Sequence, residues 1–344
     1  MRSVFVAVTV VLALLGLCIA AQAIVIETVG VGDSANAGDY RYGNAYPGTR
    51  PASYGSVAYN YNIGKYEVTA GQYAAFLNAV GATDTYALYN TKMARADYGC
   101  GITQSGTFGS YTYSVASDFV NRPVCYVSYW DCCRFANWLC NGQPTGAQDA
   151  YTTERGAYTL DGHNGSGGHT IQRSAGATWA VTSEDEWYKA AYYKGGGTDA
   201  GYWDYPTSSN TAPGRDMDDA SGNNANCYSG SGTYPIDSGK YTTVVGEFQN
   251  SDSPYGTFDQ GGNIWEWTEE VSVNEDLGSV YRHYRGGAAY SNVGLLQASV
   301  RLGLSSRWES GMGFRVVQMV PEPSSLIALA GGLIALAGLK RRRS

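Results

Sequence analysis

The chain has 344 residues, of which 45 are glycine and 29 tyrosine, with 15% charged side chains and a formal net charge of −7. With 23 Lys and Arg against 30 Asp and Glu, the balance argues against a nucleic-acid partner. So much glycine and tyrosine with so little charge argues against a helical bundle and for a loop-rich fold held by aromatic packing.

At the start, Arg2 precedes an apolar run from Val4 to Ala21, and Ala21-Gln22-Ala23 has the small-x-small form of a signal-peptidase site. Residues 1–23 are therefore expected to be a signal peptide. Leu17 is too bulky for lipoprotein cleavage at Cys18. A mature chain beginning near Ile24 would lie outside the cytoplasm. Residues 24–319 show no linker, repeat or charge block, so one domain of about 300 residues is expected.

Three helices follow from their caps. Thr69-Ala70-Gly71-Gln72 has capping-box form, with Tyr73, Phe76, Leu77 and Val80 at helical spacing before Gly81. Ser128 opens a second helix, with Phe135, Trp138 and Leu139 on one face and Gly142 beyond its end. Ser183-Glu184-Asp185-Glu186 opens a third, which carries Trp187, Ala190 and Ala191 inward and is expected to end at Gly195.

Six cysteines remain after residue 23: Cys100, Cys125, Cys132, Cys133, Cys140 and Cys227. An even number in an exported chain favours disulfides or buried thiols, with the pairing left open. There is no CxxC, and His163, His169 and His283 are too scattered for a zinc site.

The segment Gly261-Gly262-Asn263-Ile264-Trp265-Glu266-Trp267 is the most informative stretch. In a strand, Trp265 and Trp267 share one face and Glu266 takes the other. A glutamate facing away from two core tryptophans can reach a cation.

The chain ends on Val320-Pro321-Glu322-Pro323, an apolar stretch from Leu326 to Leu339, and Lys340-Arg341-Arg342-Arg343. The apolar stretch is short of the roughly 17–25 residues of a membrane span, and its basic end would stay on the cytoplasmic side. Residues 320–344 resemble the PEP-CTERM sorting signal of Gram-negative bacteria in all three parts, in order. That resemblance implies export, processing by an exosortase-type enzyme and display at the cell envelope or surface. Membrane contact would come through segment 326–339 before processing.

Six blocks carry a second resemblance: YEVTAGQYAAFL, PVCYVSYWDCCRFANWL, AVTSEDEWYKAAYY, GGNIWEWTEE, YRGGAAYS and GFRVV. Their order is similar to that of the formylglycine-generating, or sulfatase-modifying-factor, family. The resemblance implies an irregular α+β fold related to C-type lectins, with few helices, short twisted strands and structural calcium. Residue by residue, it implies one calcium site at Asp259, the Gly262 and Ile264 carbonyls and Glu266. A second maps to Asn226, the Cys227 carbonyl, Asp237 and the Gly239 carbonyl. Mixed carboxylates and carbonyls at such spacing suit a hard cation.

The family's oxidases convert a sulfatase cysteine to formylglycine with copper held by two thiolates, the donors Cu(I) prefers. Those two positions fall on Ser291 and Leu296, and a family serine falls on Ala288. Neither a hydroxyl nor an alkyl group replaces a thiolate, so copper is not expected. Other branches bind iron through histidines, and no matching cluster is present. Cys132 and Cys133 do not rescue a copper site, because adjacent helical residues diverge. The expectation is a non-oxidase, surface-displayed binding or extracellular-matrix module whose ligand is a polysaccharide or protein. The alternative is a family enzyme with unrecognised chemistry.

Overall fold

The computed structural model describes residues 23–320 apart from 44–51, 229, 231–235, 238 and 275–278. The expected signal peptide and the apolar C-terminal segment lie outside the described residues. Among those described, no helix is long and apolar enough to cross a membrane.

Each of the three capping signals starts a helix. α1 (Ala70–Val80) begins where Thr69 Oγ1 accepts from the Gln72 amide and the Gln72 side chain accepts from the Thr69 amide. α2 (Tyr129–Cys140) is closed in the same reciprocal way by Ser128 and Asp131, and α3 (Glu184–Tyr192) by Ser183 and Glu186. α3 stops at Tyr192, short of the expected Gly195. Tyr193 turns extended and bridges Tyr202, because four tyrosine rings (Tyr188, Tyr192, Tyr193 and Tyr202) pack together there.

Among the described residues the strands form three sheets. β1 (Thr28–Val31), β2 (Tyr61–Gly64), β10 (Val316–Met319) and β5 (Trp179–Val181) lie in that order, all antiparallel. The C-terminal strand thus sits between strands from the first and middle thirds of the domain. β3 (Ile102–Ser105) and β4 (Thr112–Val115) form a hairpin. The third sheet has the order β8 (Leu302–Leu304), β7 (Ser279–Arg285), β6 (Trp265–Asn274) and β9 (Met312–Gly313).

The core is aromatic, as the composition led one to expect. Phe76 of α1, Phe135 of α2 and Phe314 between β9 and β10 meet edge-on, with ring centroids 5.3 and 5.4 Å apart. α2 is buried nearly all round, and its buried Arg134 is neutralised by Glu154 at 2.7 Å.

Candidate functional site

The site is built around the start of β6. Gly262 has φ 90°, and a Cβ there would meet the Asn226 carbonyl oxygen, so only glycine fits. Its amide donates to Gly286 O at 2.9 Å and the next amide, Asn263 N, to Asn226 O at 2.8 Å. The two sequence segments proposed for calcium are thereby laid side by side.

The strand alternation holds. Trp265 packs edge-on against Tyr284, and Trp267 donates through Nε1 to Val127 O. Glu266 faces the other way and is fully buried. Its Oε2 receives Arg315 Nε at 2.6 Å and Trp187 Nε1 at 2.8 Å, and its Oε1 receives Arg315 Nη2 at 2.7 Å. The GFR block therefore supplies the partner of the WEW glutamate. Arg315 also donates to the Gly64 and Phe258 carbonyls.

Two further carboxylates surround this pair. Asp259 accepts from the Gly246 amide at 2.6 Å, and burial pushes its carboxyl up to about 6, with Glu266 and Glu247 adding repulsion. Glu67, 1% exposed, accepts from Asn263 Nδ2 through Oε1, while its Oε2 has no partner. Burial pushes Glu67 well above the ordinary carboxylate range, and the neighbouring Asp259 raises it further. Of these three carboxylates Glu266 alone touches Arg315, and burial favours the protonated forms of Asp259 and Glu67. The orphaned Glu67 Oε2 is an oxygen that a divalent cation could take up. His, Cys, Asp and Glu side chains alone form no metal-holding group of three or more among the described residues, so such an ion would lean on the carbonyls.

Glu67 is the middle of the YEVT block and was not singled out by spacing; only the three-dimensional packing shows what it faces. At the second candidate site, Asn226 Oδ1 is buried without a partner. Asp237 pairs with Arg122, and Gly239 is exposed at φ 73°. The loop between these halves lies largely outside the described residues.

The degenerate positions gather around Gly287. A Cβ there would meet Leu296 Cδ1 at 2.7 Å and Ser291 Cβ at 3.6 Å. Ser291 Oγ accepts from the Ala288 amide at 2.9 Å, and its own amide donates to Ala288 O at 2.7 Å, closing a tight turn. Leu296 is fully buried against Tyr205, Ala225 and Cys227, and burial pushes the Cys227 thiol up to about 11. The arginine before the glycines, Arg285, is locked to Glu184 at 2.7 Å. Arg301 binds the same carboxylate. Burial pushes Glu184 up, but the two arginines outweigh it and hold its carboxyl below the ordinary value.

From this turn opens a cavity of about 470 Å³, walled by Tyr98, Tyr126, Trp265, Tyr284, Tyr290 and Trp308. No charged side chain lines it. Tyr98 stacks on Tyr241, and Trp308 is half exposed with its Nε1 donating to Ser310 O at 3.0 Å. Gly311 is required at the rim, since a Cβ would collide with the Tyr290 hydroxyl. The sequence reading did not foresee this groove, because its rings come from separate stretches of the chain.

The three histidines have separate surroundings. His283 lies between Ser272 Oγ and Leu302 O, both at 3.0 Å, and burial lowers it to about 4. His163 stands edge-on to Trp130, and His169 lines a different cavity with Arg173 and Glu269. Cys132 donates to Ser128 O while Cys133 meets Tyr129, so the adjacent thiols diverge as their helix requires.

An irregular α+β scaffold with few helices, a double-tryptophan strand and a glycine-rich turn against an aromatic groove defines a class of protein. The model of the sulfatase-modifying factor enzyme 1-like domain matches residues 32–320, and the chain belongs to that family. The PEP-CTERM protein-sorting motif matches residues 320–343 and supports export to the cell envelope or surface through an exosortase-type sorting system. Among solved structures, the fold is similar to that of CarF (TM-score 0.51, 21% identity, covering 86% of this chain and 99% of that one). It is similar also to variable protein 1 of Treponema denticola (TM-score 0.51, 19% identity, covering 85% and 94%). No curated protein is significantly similar in sequence.

Proposed function

We propose that this is a non-oxidase member of the family, displayed at the cell surface, whose aromatic groove binds a neutral polysaccharide. The observation that carries the reading is the pairing of a silent turn with an open groove. Where the family resemblance would put two thiolates stand Ser291, its hydroxyl engaged by the Ala288 amide, and Leu296, sealed in an apolar cluster. Neither supplies a donor for Cu(I). Next to them lies a groove without charged side chains whose rings Tyr98, Tyr290 and Trp308 are about half exposed; aromatic rings suit the C–H faces of sugars, and nothing in the lining pairs with a charged ligand.

In this reading, signal peptidase removes residues 1–23 and the C-terminal segment holds the chain in the membrane until the sorting enzyme acts. Calcium is structural. By the family resemblance Asp259, Glu266 and the Gly262 and Ile264 carbonyls would hold it; since both Glu266 oxygens already receive Arg315 or Trp187, Glu67 is the added carboxylate with an oxygen to spare. Asn226, the Cys227 carbonyl, Asp237 and the Gly239 carbonyl would form the second site. The unpartnered Glu67 Oε2 supports this reading.

A glycan array probed with residues 24–320, followed by titration monitored through tryptophan fluorescence, tests the ligand. Trp308→Ala should weaken binding about tenfold or more, the loss of one stacking ring, and leave the melting temperature unchanged because the ring is half exposed. Failure of every neutral glycan to bind, or equal binding by the Trp308→Ala variant, would refute this assignment.

A further inference from the structure

Among the six cysteines, two stand together and four stand apart. Cys100 follows the 3₁₀ turn Thr91–Ala94, its amide donating to Met93 O at 3.0 Å, and Cys125 lies just before α2. Both are buried, at 0% and 1% exposure. Both are free thiols in the structure. Cys100 Sγ also lies 3.8 Å from Cys125 O, and Cys125 Sγ lies 3.5 Å from Tyr98 O.

The remaining thiols have other partners. Cys132 donates to Ser128 O at 3.1 Å, Cys133 meets Tyr129, Cys140 donates to Trp179 O at 3.1 Å, and Cys227 sits in the apolar cluster with Leu296. Each of these contacts satisfies or buries a single sulfur. Among these six, only Cys100 sets its sulfur against another cysteine, Cys125.

We propose that Cys100 and Cys125 form a disulfide in the exported protein, joining the Tyr98 and Tyr126 walls of the aromatic groove. The residues beside the bridge are the argument for that consequence. Tyr98 precedes Cys100 by two positions, Tyr126 follows Cys125 directly, and both rings wall the groove. The inference rests on the export that the sorting motif supports, not on the identity of the groove's ligand.

The chemistry balances without a cofactor. Each thiol loses one proton and one electron, and the two sulfurs join. The electron pair reduces the disulfide of an oxidising protein thiol–disulfide carrier in the exported compartment to two thiols. Exchange takes place during folding, while both sulfurs are still reachable. Once buried, the bond is protected from reduction. Closing a loop of about 25 residues restricts the unfolded chain and so stabilises the native one.

The test is peptide mapping of the protein secreted to an oxidising periplasm, unfolded and alkylated without reductant. Cys132, Cys133, Cys140 and Cys227 should take up label, and Cys100 and Cys125 only after reduction. Trypsin leaves both in one fragment, because Arg122 precedes Pro123. That fragment should be lighter by two hydrogens, and chymotryptic cleavage after Tyr111 or Phe119 should release a linked pair. Reductant should lower the melting temperature by roughly 5 °C, an effect absent in Cys100→Ser and Cys125→Ser. Label on both cysteines before reduction, or linkage of either to a different cysteine, overturns the proposal. Because the mapping uses the wild-type chain, it does not depend on whether either serine variant folds.

Discussion

Glu266 and Arg315 form a two-pronged ion pair, at 2.6 and 2.7 Å, with both side chains fully buried. The pair ties β6 to the chain between β9 and β10, and so links two sheets. Desolvating both charges is costly, and the geometry repays it only while both partners are present.

Glu266→Ala should therefore destabilise the domain by about 3–5 kcal/mol, since it leaves a buried guanidinium with only carbonyl partners. The double variant Glu266→Ala, Arg315→Met should lose less than the single one. Urea denaturation of both decides the point. If the losses of the two single variants simply add, the buried pair is not a coupled unit.

Stability should depend on pH through Asp259 and Glu67. Both hold their protons more tightly when folded than unfolded, Asp259 at about 6 against an ordinary 3.8. Their contribution is therefore present below about pH 4 and is lost as pH rises through about 6. In chelator, melting temperature should fall between pH 5 and 7.5, by about 1 kcal/mol of stability for Asp259. Asp259→Asn should flatten that fall. Calcium should stabilise the wild type more at pH 7.5 than at pH 5. An equal shift at both values, or none, sinks the calcium assignment.

Wild-type protein given Cu(I), oxygen and a sulfatase peptide with the target cysteine should form no formylglycine. Ser291→Cys with Leu296→Cys should gain Cu(I) affinity, because both positions face the same glycine, Gly287. Little turnover is expected, since Ala288 stays buried where the oxidases carry a serine. Mass spectrometry of the peptide reads out both proteins. Formylglycine from the wild type removes the non-oxidase reading.

Removing residues 321–344 should move the protein from the envelope fraction to the periplasm or medium. The descriptive basis is the sorting motif at 320–343. Fractionation of cells carrying either form checks it. A truncated chain that stays in the membrane fraction shows that the tail is not what retains it.

The three helix starts at Thr69, Ser128 and Ser183 could be read from the sequence because a capping box is a local event, complete within four residues. Strand alternation placed Trp265 and Trp267 opposite Glu266 for the same reason. The family followed from six ordered blocks, and the sorting tail from three adjacent ones. None of these depends on contacts distant in the chain.

What Glu266 faces was decided only by tertiary structure. Arg315 lies 49 residues away and Trp187 lies 79 away, and only the packing of β6 against α3 and the β9–β10 segment brings them together. The same holds for Glu67, for the Cys100–Cys125 contact and for the groove. Its rings come from Tyr98, Tyr126, Trp265, Tyr284, Tyr290 and Trp308, each of which reads locally as one more core aromatic. The end of α3 was misplaced for a related reason. Gly195 is a local stop signal, but the tyrosine cluster at Tyr193 and Tyr202 ends the helix first. Local sequence sets where elements begin and which face they bury. Which charges are neutralised, and which rings are left facing solvent, depends on the partners that the fold assembles from afar.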